Sequence, residues 1–176
     1  LGPWAEAVRE GQVGTMLLGV HDPEVLARLL GVLAEISEQT PLLFPIHPRT
    51  SARIADAGLE HLLESSSIHT LPPAGYLEML GLMREAKVVL TDSGGIQEET
   101  TALGVPCITL REHTERPITV DEGTNTIVGT DTARIRACYD DILATGGKGG
   151  RSPELWDGRA AERIVDAINQ WAAGTG

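Results

Sequence analysis

The sequence predicts a doubly wound α/β domain, a parallel sheet covered by helices on both faces. Three observations carry this. Strand-like and helix-like segments alternate from residue 13 to the end. The strand-like segments are continuous apolar runs rather than alternating ones, as expected of strands buried on both sides. Several of the remaining segments repeat apolar residues three and four apart, the spacing of a helix with one buried face.

The elements follow in order. "VGTMLLGV" (13–20) reads as the first strand. "PEVLARLLGVLAEIS" (23–37) places Val25, Leu26, Leu29, Leu30, Leu33 and Ile36 on one helical face. Pro23 suits its first turn and Asp22 its N-cap, because proline needs no N–H there and a carboxylate accepts from the free amides. "PLLFPIH" (41–47) is the second strand, and "PRTSARIADAG" (48–58) a short helix ending on Gly58. "SSIHTL" (66–71) is a weaker third strand. "GYLEMLGLMREA" (75–86) is a helix with Tyr76, Leu77, Leu80, Leu82 and Met83 as its apolar positions.

"KVVLT" (87–91) is the fourth strand, followed by a helix over "SGGIQEETTALG" (93–104) that Gly104 closes. "PCITL" (106–110) is the fifth strand, "ITVDEG" (118–123) a helical turn and "TNTIVG" (124–129) the sixth strand. "DTARIRACYDDILAT" (131–145) is a helix, and "GGKGG" (146–150) a flexible turn. The last helix falls within 153–172, its regular part over 159–172, with a seam of Ala160, Ile164, Ala167, Ile168 and Trp171.

Composition narrows the function. The 176 residues suit one domain. At 41% apolar but 3% aromatic, its core must be aliphatic. A net charge of −11, with two lysines (Lys87, Lys148) and no basic run, argues against nucleic acid and anionic membranes as partners. No segment approaches the ~20 apolar residues that span a bilayer. Cys107 and Cys138 form no ligand or disulfide framework and read as buried, reduced thiols of a cytoplasmic protein. No metal or cofactor is called for. The chain opens on Leu1, and "LGPWAEAVREGQ" (1–12) reads as the end of a helix or linker, so a piece of a longer protein is expected.

The most informative stretch is "TDSGGIQEET" (91–100). A buried strand there turns at once into a helix through Ser93, Gly94 and Gly95. In doubly wound sheets ligands collect beyond the carboxyl ends of the strands. Two glycines let a ligand approach free N–H groups at a helix N-terminus, a ready anion seat. Glu98 and Glu99 lie slightly farther in, where a carboxylate could accept from the hydroxyls of a ribose. A tight turn before an ordinary capped helix explains the same letters. No Walker or GxGxxG motif is present.

"LREHTERP" (110–117) follows the fifth strand and brings Arg111, His113 and Arg116 to the same edge. Arginine suits paired phosphate oxygens. The competing reading pairs Arg111 and Arg116 with the local Glu112, Glu115 and Glu122. His47, in "FPIHPRT" (44–50), is either a donor to a ligand or a satisfied turn residue. Asp92 and Tyr76 read as structural.

Five segments in order, "FPIHPRT", "GYLEMLGLMREAKVVL", "LTDSGGIQEE", "ALGVPCITLREHTERP" and "VDEGTNTIVGTD", resemble the non-hydrolysing UDP-N-acetylglucosamine 2-epimerases from Leu42 onward. The resemblance implies a Rossmann-like domain, one half of a glycosyltransferase-B type fold, with residues 1–176 as the C-terminal, UDP-binding half. It implies an enzyme that removes the C2 proton, expels UDP from C1, and re-adds UDP with a proton on the other face of C2. It assigns Ser93, Gly94 and Gly95 to the diphosphate, Glu99 to the ribose and Arg116 to the UDP. Met79 stands where an aromatic residue often packs near the uracil, and Ala74 where some members carry a nucleotide-contacting Gln. His47 matches an element that serves a second, regulatory substrate molecule in some members.

His21 is either the family's functional histidine or only the residue before Asp22-Pro23, since part of the family's segment is missing there. The expected partners are a UDP-sugar, the N-terminal domain and, for the whole enzyme, a second copy. The expected setting is cell-envelope polysaccharide synthesis in the cytoplasm. A UDP-sugar transferase of the same fold and a non-catalytic nucleotide-sugar-binding module are the competing functions.

Overall fold

A computed structural model describes Val8 and residues 11–174. The helix or linker end expected over 1–12 lies largely outside these residues. Strands β1 (Gly14–Leu17), β2 (Leu42–Pro45), β3 (Ile68–Leu71), β4 (Val89–Thr91), β5 (Cys107–Thr109) and β6 (Asn125–Ile127) form one parallel sheet in the order β3-β2-β1-β4-β5-β6. The chain winds outward from β1 to β3, returns beside β1 as β4, and winds out the other way. The order reverses between β1 and β4, and that reversal opens a crevice at their carboxyl ends.

The helices are α1 (Pro23–Ser37), α2 (Pro48–Asp56), α3 (Glu60–Glu64), α4 (Tyr76–Arg84), α5 (Gly94–Leu103), α6 (Pro117–Asp121), α7 (Thr132–Thr145) and α8 (Ala160–Gly174). Strand parity sorts them. Met16, Leu42, Phe44, Val88, Leu90 and Ile108 point to one face, where Leu29, Leu30 and Leu33 of α1, Ile54 of α2 and Ile135 and Tyr139 of α7 complete the main core. Val89 points the other way and packs with Met83 of α4 and Val105; Met79, Leu80 and Ile96 border that cluster. Each fully buried leucine contributes about 1.5–3 kcal/mol over leaving it exposed, so the aliphatic composition suffices. The Tyr139 hydroxyl, inside the main core, donates to Thr40 Oγ1 at 2.7 Å.

The local signals act as expected at most ends. Asp22 accepts from the amides of Glu24 and Val25 at 2.8 and 3.1 Å, with Pro23 at the start of α1. Gly104 closes α5 with φ of 72°, a conformation that costs glycine nothing.

Several expectations are corrected. The strands end earlier than their apolar runs: beyond Leu17 the amide of Gly19 bonds to the Asp92 side chain instead of a strand neighbour. The helix α3 is too short to show a period in sequence. Tyr76 and Leu77 are 65% and 79% exposed, so only the later part of α4 is seated on the core. Tyr76 therefore has no structural role in it. The largest difference is α8. Its seam residues Ile164, Ile168 and Trp171 are 57–71% exposed, because α1, α2, α4, α5 and α7 already cover the sheet. Cys107 is buried as expected, its thiol pushed up to about 11 by burial; Cys138 is only half-buried. Among the described residues no helix is long and apolar enough to cross a membrane.

Candidate functional site

The topology brings three loops to the crevice, those following β1, β4 and β5. An open cleft of about 530 Å³ lies between them, lined by Gly19, His21, Asp92, Arg111, His113 and Thr130 among others. Two of the residues singled out in sequence, Arg111 and His113, thus line one cleft with His21.

Asp92 holds the first two loops together. Its two carboxylate oxygens each accept from the Gly19 amide at 2.9 Å. The β1 loop is also held from behind: Thr50 Oγ1 donates to the Leu18 carbonyl at 3.0 Å, and Arg53 to the Gly19 and Val20 carbonyls at 3.3 and 3.4 Å. His21, itself exposed, therefore rides on a fixed loop.

Burial pushes the Asp92 carboxyl above its usual value of 3.8, against the opposing pull of the Gly19 N–H and of Arg111 and His21. The sign follows. The folded chain holds this proton more tightly than the unfolded chain, so Asp92 lowers stability as pH rises above 3.8 toward its folded pKa. The expected result is that the stability of the parent relative to Asp92→Asn falls with rising pH in that window and then levels off. Urea titrations across weakly acidic pH check this; a relative stability that rises with pH would contradict it.

The β4 loop opens α5. Ser93 occupies the N-cap position by its backbone angles, but its hydroxyl makes no capping bond, which corrects the expectation of an ordinary cap. Space is open where a Gly95 side chain would stand, and beside Gly94 only the Glu115 carboxylate comes near. The first turn of α5 thus presents amides that Ser93 leaves unfilled, toward open space.

The β5 loop supplies the cations. Arg111 donates twice to Glu115, at 2.9 and 3.2 Å, the local pairing anticipated as an alternative. Arg116 instead reaches Glu98 on α5, Nε to Oε1 at 2.8 Å, with both partners near 40% exposed. Arg116 and α5 therefore form one surface. Glu99, on the same helix, has its carboxyl raised by burial and by the neighbouring Glu98 charge.

The remaining sequence candidates lie farther out. Met79 is half-buried on α4 against the smaller core beside Val89. His47 follows β2 and caps α2, its Nδ1 accepting from the Arg49 amide at 3.2 Å.

Sequence reasoning missed a buried polar layer under the β5 loop. Gln97 Oε1 accepts from Thr114 Oγ1 and, at 3.1 Å, from Asn125 Nδ2. Asn125 also donates to Thr119 Oγ1 at 3.1 Å and accepts from Thr109 Oγ1 at 2.6 Å. Gln97 Nε2 donates to the Ser93 carbonyl at 3.3 Å. The Ser93–Gln97 spacing of one helical turn was visible in sequence; the link to Asn125 joins positions 28 apart and was not.

Fold and site together define a Rossmann-like domain with an open cleft at its topological switch point. Residues 19–169 match the model of the UDP-N-acetylglucosamine 2-epimerase family. The UDP-N-acetylglucosamine 2-epimerase of Methanococcus maripaludis is 40% identical over 153 residues, 82% of this chain and 40% of that protein. The UDP-2,3-diacetamido-2,3-dideoxy-D-glucuronate 2-epimerase of Pseudomonas aeruginosa is 41% identical over 125 residues, covering 67% of this chain and 34% of its own. The solved structure of Methanocaldococcus jannaschii UDP-GlcNAc 2-epimerase, in complex with UDP-GlcNAc and UDP, matches with a TM-score of 0.79 and 34% identity over 97% of this chain and 49% of that one. The chain belongs to the UDP-N-acetylglucosamine 2-epimerase family. It spans about 40% of the length of the Methanococcus maripaludis and Methanocaldococcus jannaschii relatives.

Proposed function

We propose that this chain is the UDP-binding half of a cytoplasmic enzyme that interconverts UDP-N-acetylglucosamine and its C2 epimer. The observation that carries the reading is the uncapped α5 N-terminus with Arg116 held against the same helix, through Glu98, at the carboxyl edge of β4 and β5. The α5 amides and Arg116 take the diphosphate, and Glu99 accepts from the ribose hydroxyls. Arg116 can leave Glu98 to do so. A pair this exposed is worth about 0–1 kcal/mol. A hydrogen bond to a charged group is worth about 1.5–3 kcal/mol.

The reaction then divides between two domains. A base takes the C2 proton, the C1–O bond breaks with its electron pair going to UDP, and a C1=C2 double bond forms. UDP adds back at C1 while a proton arrives on the opposite face of C2. Stabilising the charge on departing UDP falls to α5 and Arg116. We assign the proton transfers to the other domain: Asp92 is engaged by Gly19 and Glu115 by Arg111, and Glu98, which Arg116 releases on turning to the diphosphate, is the competing candidate in this chain. The relative named for a diacetamido uronate substrate makes the sugar the variable part and UDP the shared one.

Titration calorimetry tests the reading. UDP should bind the chain weakly, because no second domain closes over it. No heat of binding at millimolar UDP would refute the assignment.

A further inference from the structure

We propose that Gln97 and Asn125 are positioning residues, which hold Arg116 and the Ser93 turn as one rigid receptor for a diphosphate. The proposal rests on the UDP-binding reading above for its ligand, but not for its geometry. The hydrogen bonds under the β5 loop close into a ring. The Arg116 amide donates to Thr114 Oγ1 at 2.9 Å, and Thr114 donates on to Gln97. Gln97 accepts from Asn125, Asn125 donates to Thr119, and Thr119 donates to the Arg116 carbonyl at 2.7 Å. Both backbone polar groups of Arg116 are thus members of the ring.

The proton bookkeeping admits one arrangement. Each threonine hydroxyl in the ring donates once and accepts once, and each amide uses its oxygen and nitrogen in opposite senses. Gln97, Asn125 and Thr119 are fully buried. Leaving any of them unpaired would carry a desolvation cost, so the ring forms complete or is strongly disfavoured. Apolar side chains could fill the same volume, but they would not dictate where the Arg116 backbone lies.

The ring has three outward ties, and each ends at something the site uses. Gln97 Nε2 reaches the Ser93 carbonyl at the turn that opens α5. Thr109 ties Asn125 to the end of β5. Arg116 itself returns to α5 through Glu98, the residue after Gln97. Residue 116 is therefore anchored to α5 twice, by its backbone through Gln97 and by its guanidinium through Glu98. Its backbone angles, φ −125° and ψ 58°, are not those of the helix α6 that follows, so α6 alone does not set them. What remains free is the side-chain swing between Glu98 and a ligand.

Two readouts test this on the 176-residue chain. The first needs no ligand: amide hydrogen exchange measured by NMR. Gln97→Met should speed exchange at the Arg116 amide about tenfold while Leu90 in β4 is unchanged. The second compares ligands by calorimetry. Gln97→Met and Thr119→Val should each weaken UDP about tenfold and uridine less than about twofold, whereas Thr119→Ser keeps parent affinity. In an Arg116→Ala background, Thr119→Val should have no further effect on UDP.

Unchanged exchange at Arg116 in Gln97→Met overturns the proposal. So does equal weakening of UDP and uridine, which would indicate a general loss of structure. Should Gln97→Met fail to fold, the Thr119→Val and Thr119→Ser pair supplies both readouts. If the parent ignores UDP altogether, the proposed function falls, and the exchange comparison still decides whether the ring holds Arg116.

Discussion

The 176-residue chain incubated alone with UDP-N-acetylglucosamine yields no epimer, and supplying the N-terminal domain restores turnover: this is the largest effect we expect. Removing the C2 proton needs a base within about 2.6–3.2 Å of it. Asp92 is committed to the Gly19 amide, whereas Glu98 is released when Arg116 turns to the diphosphate. His21 is the imidazole carried by the β1 loop at the cleft. An NMR time course over hours decides the matter. Steady appearance of UDP-N-acetylmannosamine from the purified chain would place the chemistry in this half, with His21 and Glu98 as the candidate bases.

Arg116→Ala is the second large effect. It removes a charge-assisted contact worth about 1.5–3 kcal/mol, which corresponds to roughly 10- to 150-fold weaker UDP binding. Uridine, lacking phosphates, should bind almost as before. Glu99→Gln should instead weaken UDP and uridine alike, since its proposed contact is with the ribose that both share. Calorimetry with the two ligands on the two variants separates these roles. The same pattern from both substitutions would contradict the division between diphosphate and ribose. Exposure of the Arg116–Glu98 pair bears on the size of the effect, because little is lost when Arg116 exchanges one acceptor for another.

The sequence by itself determined what short-range physics controls. The 3.6-residue period of "PEVLARLLGVLAEIS", with Asp22 and Pro23 before it, specifies α1 without any neighbour, and those residues cap and start it. Uniformly apolar strands required cover on both faces, and parity sends Leu42 and Leu43 to opposite cores. Ser-Gly-Gly after a buried strand marked the opening of α5, because glycine adjacent to a helix start is a local backbone statement.

Only the tertiary structure decided the rest, because the deciding partners are far apart in the chain. Nothing local to residue 19 says that Asp92 will take its amide. The sequence offered Arg116 the nearby Glu112, Glu115 and Glu122; folding gave it Glu98, since α5 and the β5 loop meet only once β4 and β5 pair. Asn125 looked like a strand residue and became the partner of Gln97. The apolar period of α8 was legible, but a period names a face and not what covers it, and Ile168 and Trp171 stand exposed. Strand order had the same character: alternation of strand and helix predicts a parallel sheet, while the reversal between β1 and β4, which makes the cleft, arises from which strands pair.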